Sequence, residues 1–212
     1  TYSVIVDIDE KSLREIGQWP WPRTVLADLF EKSKSSGMLV LGLDVLFAEK
    51  DRTSPELISK DLLTRDPEIA KMLSKLPSNE SLAMEAMKKF PIVIGHSGLD
   101  VEGDALREDI NRSSVKVFLG KNQDPKNWLI KYPGLLANVP EFEEAASGSG
   151  TVSVAQEPDG IIRRVPLISN VAGTIRPTLG LDMIRVAFQG NSIAARTGLT
   201  GIEEIIIQTK AI

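Results

Sequence analysis

The chain has 212 residues, which allows one large domain or two small ones. Apolar residues make up 42% and charged residues 25%, the balance of an ordinary folded domain, which argues against global disorder. The net charge is −4 and no long basic run occurs, so we expect no nucleic-acid partner. There is no cysteine and one histidine, which excludes a disulfide scaffold, a thiol nucleophile and a metal site built on several histidines. We assign no cofactor.

The sequence contains no run of roughly 18 apolar residues that could span a membrane, and no signal peptide. It opens at once on a strand-like pattern at residues 2–7 and stops in mid-pattern at residues 209–212. We therefore interpret the chain as a domain of a longer protein, whose membrane segments would lie in the flanks.

The first part of the chain alternates strand-like and helical patterns. Residues 4–8 form an apolar run of β-branched residues, which predicts a buried strand. Residues 10–16 favour one or two helical turns, and a longer helix follows from Pro22 to Gly37. Residues 38–44 are nearly all apolar, as in a strand covered on both faces. This order predicts a βαβ unit with parallel strands and a right-handed crossover.

The middle of the chain divides into a helical and an irregular part. Residues 51–90 carry proline-led helix starts and apolar residues at helical spacing, and residues 92–95 predict a third buried strand. Residues 97–150 show little periodicity, and we expect mostly loops and short turns there, with a short strand at residues 115–119.

The C-terminal part has a strong turn signal. Residues 151–156 and 161–168 read as two strands around Pro158-Asp159-Gly160, which predicts a β-hairpin. A helix after Pro177 and a last strand at residues 202–207 follow.

These elements predict an α/β fold with a mixed, partly parallel sheet, flanking helices and a C-terminal antiparallel hairpin. We expect one domain over residues 1–212, with residues 51–90 as a helical insertion and residues 97–150 as an irregular segment.

Three aspartates follow predicted strands and should gather at one edge of the sheet. These are Asp7, Asp9 and Asp44. The carboxyl ends of parallel strands form the usual ligand crevice of open α/β sheets. A divalent cation or a polyamine could bind there, but a solvated or hydrogen-bonded acidic cluster is the favoured interpretation.

The pair Asp7 and Asp9 also resembles the start of a haloacid-dehalogenase-type phosphatase, in which the first Asp is the nucleophile, the second the acid/base, and both help to hold Mg²⁺. The remaining members of the set would be Asp104, Asp109 and Lys88 or Lys89. The match is poor, because Lys11 replaces the usual Thr or Val and the acidic spacing is one residue too long. We favour capping of a turn or of the short helix instead.

Two aromatic residues and an arginine form the motif Trp19-Pro20-Trp21-Pro22-Arg23. The two rings could stack on a ligand or pin the loop to the core. Arg23 could pair with one of the aspartates. The structural role is favoured.

Arg163 and Arg164 follow Asp159 and should point to opposite faces of a strand. Pairing of one of them with an acidic group is favoured over binding of an anionic ligand. His96 beside Ser97 suggests a hydrolase, but Leu99 stands where a nucleophile elbow needs glycine, so a structural histidine is favoured.

Five ordered pieces of the chain resemble one family, the CHASE domains of the second type (cyclase/histidine-kinase-associated sensory extracellular). They are Val4-Ile5-Val6-Asp7-Ile8-Asp9-Glu10-Lys11-Ser12-Leu13; Gly17 with Trp19-Pro20-Trp21-Pro22-Arg23; Gly42-Leu43-Asp44-Val45-Leu46-Phe47 with Glu49; Asp159-Gly160-Ile161-Ile162-Arg163-Arg164-Val165-Pro166-Leu167; and Pro177-Thr178-Leu179-Gly180-Leu181. Residues 51–89 are longer than the family norm, and residues 97–147 carry no recognised motif.

The resemblance implies a sensor domain on the periplasmic or extracellular face of the cell membrane, without catalytic residues. It also implies flanking membrane helices, a cytoplasmic nucleotide cyclase or protein kinase, an unidentified small-molecule ligand and a homodimer. The motif residues are the candidate ligand contacts: Asp7, Asp9, Trp19, Trp21, Arg23, Asp44, Asp159, Arg163 and Arg164. The alternatives are the Mg²⁺-dependent phosphatase and a purely structural interaction domain.

Overall fold

The computed structural model describes residues 3–102, 115–118, 125–154, 159–199 and 201–209. Its helices are α1 (Glu10–Ile16), α2 (Arg23–Ser35), α3 (Pro55–Leu62), α4 (Pro67–Leu73), α5 (Asn79–Lys88), α6 (Pro140–Ala145) and α7 (Leu179–Ala187). Its strands are β1 (Leu41–Leu43), β2 (Ile92–Leu99), β3 (Val115–Phe118), β4 (Lys131–Tyr132), β5 (Gly134–Leu136), β6 (Gly148–Thr151), β7 (Ile168–Val171), β8 (Thr174–Pro177), β9 (Gly190–Thr197) and β10 (Ile202–Thr209). No helix of these ranges is long and apolar enough to cross a membrane.

Strand β2 is the centre of the largest sheet. It pairs in parallel with β1 on one side, with Leu41 opposite Ile92, and in parallel with β6 on the other, with Val93 opposite Gly148. Its far end pairs antiparallel with β5. The predicted α/β fold with a mixed, partly parallel sheet is therefore confirmed.

Helices cover both faces of this sheet. Leu43 and Ile94 lie in the main apolar cluster together with Phe30 of α2. Gly42 faces the other way, where a Cβ atom would collide with the side chain of Met183 in α7. The strands β1 and β2 are thus buried between α2 and α5 on one face and α7 on the other.

The predicted strand at residues 4–8 is wrong. Residues 3–9 have no regular secondary structure, and Val4, Ile5 and Val6 are 77%, 92% and 56% exposed. The parallel pair β1–β2 is joined instead through α3, α4 and α5. An apolar β-branched run shows that a segment can form a strand, but a strand is stable only when it pairs, and residues 3–9 pair with none of the described strands.

The predicted hairpin around Asp159 and Gly160 is also wrong in its position. Residues 161–166 are irregular, and β6 pairs in parallel with β2. Pro158 lies outside the described residues. Gly160 does have the positive φ (79°) that the turn signal predicts. The antiparallel hairpins of the C-terminal part are β7–β8 and β9–β10. The first turns through Ala172 and Gly173, both with positive φ.

The middle of the chain matches the predictions in part. Three helices occupy residues 51–90, and Pro55 and Pro67 stand in the first turns of α3 and α4, as predicted. The described part of residues 97–150 is more regular than expected, since it contains β3 to β6 and α6. These elements have two to six residues each, which is too short for a detectable period in the sequence.

Candidate functional site

The predicted acidic edge is not a cluster. Asp7 lies in the exposed N-terminal segment, and Asp44 is exposed after β1. The carboxylate of Asp9 caps α1, accepting hydrogen bonds from the hydroxyl (2.7 Å) and the backbone N–H (2.8 Å) of Ser12. These two bonds hold the pKa of Asp9 below its ordinary value. Asp9 therefore has the capping role that the sequence favours.

The described residues contain no group of three or more acidic or histidine side chains arranged to hold a metal ion. Two further members of the phosphatase set, Asp104 and Asp109, lie outside these residues. With Asp9 engaged as a helix cap, no observed contact supports the phosphatase interpretation.

Asp159 and Arg163 form the expected structural pair. The guanidinium of Arg163 donates two hydrogen bonds to the carboxylate of Asp159, at 3.0 and 2.7 Å, and these bonds lower the pKa of Asp159. Both side chains are about half exposed, and Arg164 is exposed beside them. An exposed pair of this kind contributes little to stability.

The two tryptophans of the motif anchor the chain before α2. Their rings meet edge to face at 5.5 Å. Trp21 is buried and its indole N–H donates to the carbonyl of Gly17 at 2.7 Å, while Trp19 is half-buried against the main cluster. These contacts are consistent with the structural role that the sequence favours for both rings. Trp21 also lines a surface cleft.

Arg23 is buried at the start of α2. Its guanidinium lies over the ring of Phe47 at 4.7 Å, and its Nη2 donates to the carbonyl of Glu49 at 3.3 Å. Its Nε has no hydrogen-bond partner among the described residues. Burial lowers the pKa of Arg23, while the charges of Asp51 and Glu80 act in the opposite direction.

The buried carboxylate of Asp51 joins three parts of the chain. It accepts hydrogen bonds from the backbone N–H of Arg23 (2.7 Å) and the amide of Asn79 (2.8 Å). Its other oxygen accepts from the hydroxyl (2.7 Å) and backbone N–H (2.8 Å) of Thr53. The backbone N–H of Asp51 donates to Glu80. Burial alone would raise the pKa of Asp51, but the hydrogen bonds outweigh it and hold the pKa below its ordinary value.

Asp51, Asn79 and Glu80 were not predicted as site residues. Their neighbours Ser54 and Ser78 are the N-caps of α3 and α5, and nothing in the sequence indicates that the two loops meet. The one local signal is that Asn79 and Glu80 are the first two residues of a helical segment, whereas Asp51 lies in a loop four residues before another.

A surface cleft of about 390 Å³ opens beside this buried network. It lies between the segment before α2 and the loop that follows β1. Its lining residues are Pro20, Trp21, Arg23, Glu49, Lys50, Asp51, Arg52 and Thr53. Of the predicted site residues, the structure thus brings Trp21 and Arg23 together at one cleft. The others do not line it: Asp7, Asp9, Trp19, Asp44, Asp159, Arg163 and Arg164.

The single histidine is buried in the central sheet. The Nδ1 of His96 lies 2.8 Å from the hydroxyl of Ser149, and its Nε2 lies 2.9 Å from the hydroxyl of Thr151. Ser97 bonds instead to Ser153 at 2.8 Å. Burial, together with the positive charge of Arg176, lowers the pKa of His96 to about 3. A neutral histidine without access to solvent has the structural role that the sequence favours.

Replacing Asp51 by Asn should destabilise the fold by about 3 kcal/mol. The amide nitrogen of Asn would face one of the hydrogen-bond donors, and the buried guanidinium of Arg23 would lose a nearby negative charge. The matched control is Asp61→Asn on the exposed face of α3, which should change the free energy of unfolding by less than about 0.5 kcal/mol. Urea unfolding of both variants measures the difference. Equal midpoints would show that the Asp51 network does not stabilise the fold.

The low pKa of His96 predicts a pH-dependent stability. The unfolded chain takes up a proton on this residue near pH 6.5 and the folded chain only near pH 3, so the stabilisation is complete above pH 6.5 and declines as the pH falls. The loss between pH 6.5 and 5 should be about 2 kcal/mol. Urea titrations at the two pH values measure the free energy of unfolding, and a His96→Gln variant should not show this loss between them. If the variant loses as much stability as the wild type does, the pH dependence does not come from His96.

The domain-family model described as CHASE2 domain matches residues 2–211. No curated protein and no solved structure matches the chain. CHASE2 domains are extracellular sensory domains of receptors and are not catalytic. Because the match covers essentially the whole chain, the chain belongs to the CHASE2 family of sensory domains.

Proposed function

We propose that the chain is the ligand-binding input domain of a transmembrane receptor, coupled to a cytoplasmic nucleotide cyclase or protein kinase. The observation that carries the ligand site is the buried guanidinium of Arg23, whose Nε lacks a partner among the described residues where Arg23 lines a cleft. A buried donor left unpaired costs free energy, which a bound acceptor group recovers.

The chemistry of the cleft favours a ligand with an acceptor oxygen, such as a carboxylate or a carbonyl. Both oxygens of Asp51 are already occupied by hydrogen bonds. Lys50 is paired with Glu56 and Glu141, and its hydrogen bond to Glu56 raises its pKa. Arg52 is exposed at the rim. The groups left for a ligand are therefore the donors of Arg23 and Arg52, beside the ring of Trp21.

The position of the cleft suggests how binding is transmitted. Arg23 begins α2, and Asn79 and Glu80 begin α5, so the Asp51 network connects the cleft to the ends of two helices that pack on each other. A ligand that prefers one arrangement of these ends shifts the population of that arrangement. In the proposed receptor the shift passes to flanking membrane helices, and two copies of the domain act as a homodimer.

Binding at the cleft is tested by thermal unfolding with acetate, succinate and glutamate as probes at millimolar concentration. At least one probe should raise the melting temperature of the wild-type chain, because a ligand that binds only the folded state stabilises it. Arg52→Ala should weaken this effect about tenfold in apparent affinity, since it removes one charged donor. Arg65→Ala, at another exposed arginine, is the matched control and should bind as the wild type does. A melting temperature insensitive to all three probes would remove the acceptor-binding site at this cleft.

The receptor placement is tested separately on the parent coding sequence. About 150 codons on each side should contain at least one apolar run of roughly 20 residues before Thr1 and one after Ile212, the length that crosses a bilayer. Polar flanks on both sides would contradict a transmembrane receptor and leave the ligand-binding result unaffected.

A further inference from the structure

The N-terminal segment has the pattern of a buried strand and yet is exposed. We call residues 3–9 the N-terminal arm. Its apolar residues Val4, Ile5 and Val6 are among the most exposed large hydrophobic residues of the described chain. The helix α1 that follows has no buried residue either. Exposed β-branched residues in an extended segment are the features of a strand that lacks its partner.

The central sheet has a free edge that fits this arm. Among the described strands, β1 pairs only with β2, so its other edge is open. Both faces of β1 are covered, since Leu43 packs in the main cluster and Gly42 lies against Met183 of α7. A strand added at this edge would continue a sheet that is buried on both faces at β1. The arm suits that position because Val4, Ile5 and Val6 are apolar on both of its faces.

The connection between the arm and the domain sets the direction of pairing. Asp9 leads through α1 to Arg23, whose backbone N–H bonds to Asp51 beyond the carboxyl end of β1. If two copies meet at these ends, each arm would run along the other copy's β1 with its carboxyl end at the carboxyl end of that strand. The pairing is then parallel, as it is for β1–β2 and β2–β6.

We propose that the domain dimerises by exchange of these arms, each arm adding a parallel strand to the β1 edge of a second copy. A second copy is favoured over the same chain because the single folded chain leaves its own arm exposed and its own β1 edge open. Reciprocal exchange uses the same surface on both copies, which is the closed two-fold contact of most homodimers. The inference rests on the homodimer of the proposed function and names its interface.

The first test compares the dissociation constants of wild-type and variant dimers by sedimentation equilibrium. The triple variant Val4→Ser, Ile5→Ser, Val6→Ser should raise the dissociation constant about 100-fold or more, since it removes most of the apolar surface of the arm. It should fold normally, because none of the three side chains is buried. The matched control is Ile69→Ser, Met72→Ser, Leu76→Ser, three exposed apolar residues in and after α4, which should leave the constant unchanged. Equal constants for all three proteins would overturn the exchange.

The second test uses the absence of cysteine in the chain, which makes every engineered disulfide unambiguous. A Val6→Cys chain mixed with a Leu41→Cys chain should give a mixed disulfide dimer on oxidation, because neighbouring strands bring Cα atoms within disulfide range. A Leu199→Cys chain, with an apolar position outside the arm that is more exposed than Val6, is mixed with Leu41→Cys as the control for random collision. Val4→Cys and Ile8→Cys repeat the measurement at neighbouring registers.

The outcomes separate the inference from the proposed function. Mixed disulfides from the arm but not from Leu199 support arm exchange. A dimer that forms no arm disulfide in any register overturns the exchange but leaves the homodimer. An intramolecular disulfide in the monomeric Val6→Cys, Leu41→Cys double variant shows that the arm docks on its own sheet, which also overturns it. A chain that stays monomeric overturns both the exchange and the homodimer, and it leaves the result of the ligand titrations unaffected.

Discussion

The buried carboxylate of Asp51 is the interaction on which the arrangement of the cleft depends. It receives the first backbone N–H of α2 through Arg23, an amide at the first position of α5 through Asn79, and two donors from its own loop through Thr53. A charge inside a protein is stable only when it is paired or fully hydrogen-bonded. The loop after β1 and the starts of α2 and α5 are therefore held in one geometry by the need to satisfy this single group.

A second buried polar residue supports the same end of the sheet. Asn138 is fully buried; its side-chain oxygen accepts from the backbone N–H of Phe47, and its amide donates to Gly95 and Glu143. It thus joins the segment after β1 to β2 and to α6. One of its partners is the backbone of Phe47, whose ring lies under the guanidinium of Arg23. The inner side of the cleft is thus tied to the fold by buried hydrogen bonds, and its outer side includes exposed loop residues such as Arg52.

The arrangement suits a sensor better than an enzyme. The carboxylate of Asp51 and the amide of Asn138 are satisfied by neighbouring groups, and the one histidine is buried in the sheet with both ring nitrogens near hydroxyl groups. What remains open at the surface is a cleft with donor groups, a free edge on β1 and an apolar arm. These are features of recognition: we propose that the cleft binds a small acceptor ligand and that the arm and the β1 edge bind a second copy of the chain. Because the segment from Asp9 to Arg23 connects the arm to the cleft, a change at one has a direct covalent route to the other.

The sequence by itself determined the elements whose signals are local. The proline-led helices α3 and α4, the cap of Asp9 on α1, the positive φ of Gly160 and the order of the family motifs all follow from a few neighbouring residues, and the α/β class follows from their succession. Only the tertiary structure decided which strands pair and which polar groups meet. The run at residues 4–8 has a strand pattern but pairs with none of the described strands, and β6 pairs in parallel with β2 instead of forming the hairpin predicted around Gly160. The contact of Asp51 with Arg23, Asn79 and Glu80 spans 28 or 29 positions of the chain. Pairing and buried hydrogen bonds depend on distant backbone brought together by the core, and no local pattern records that geometry.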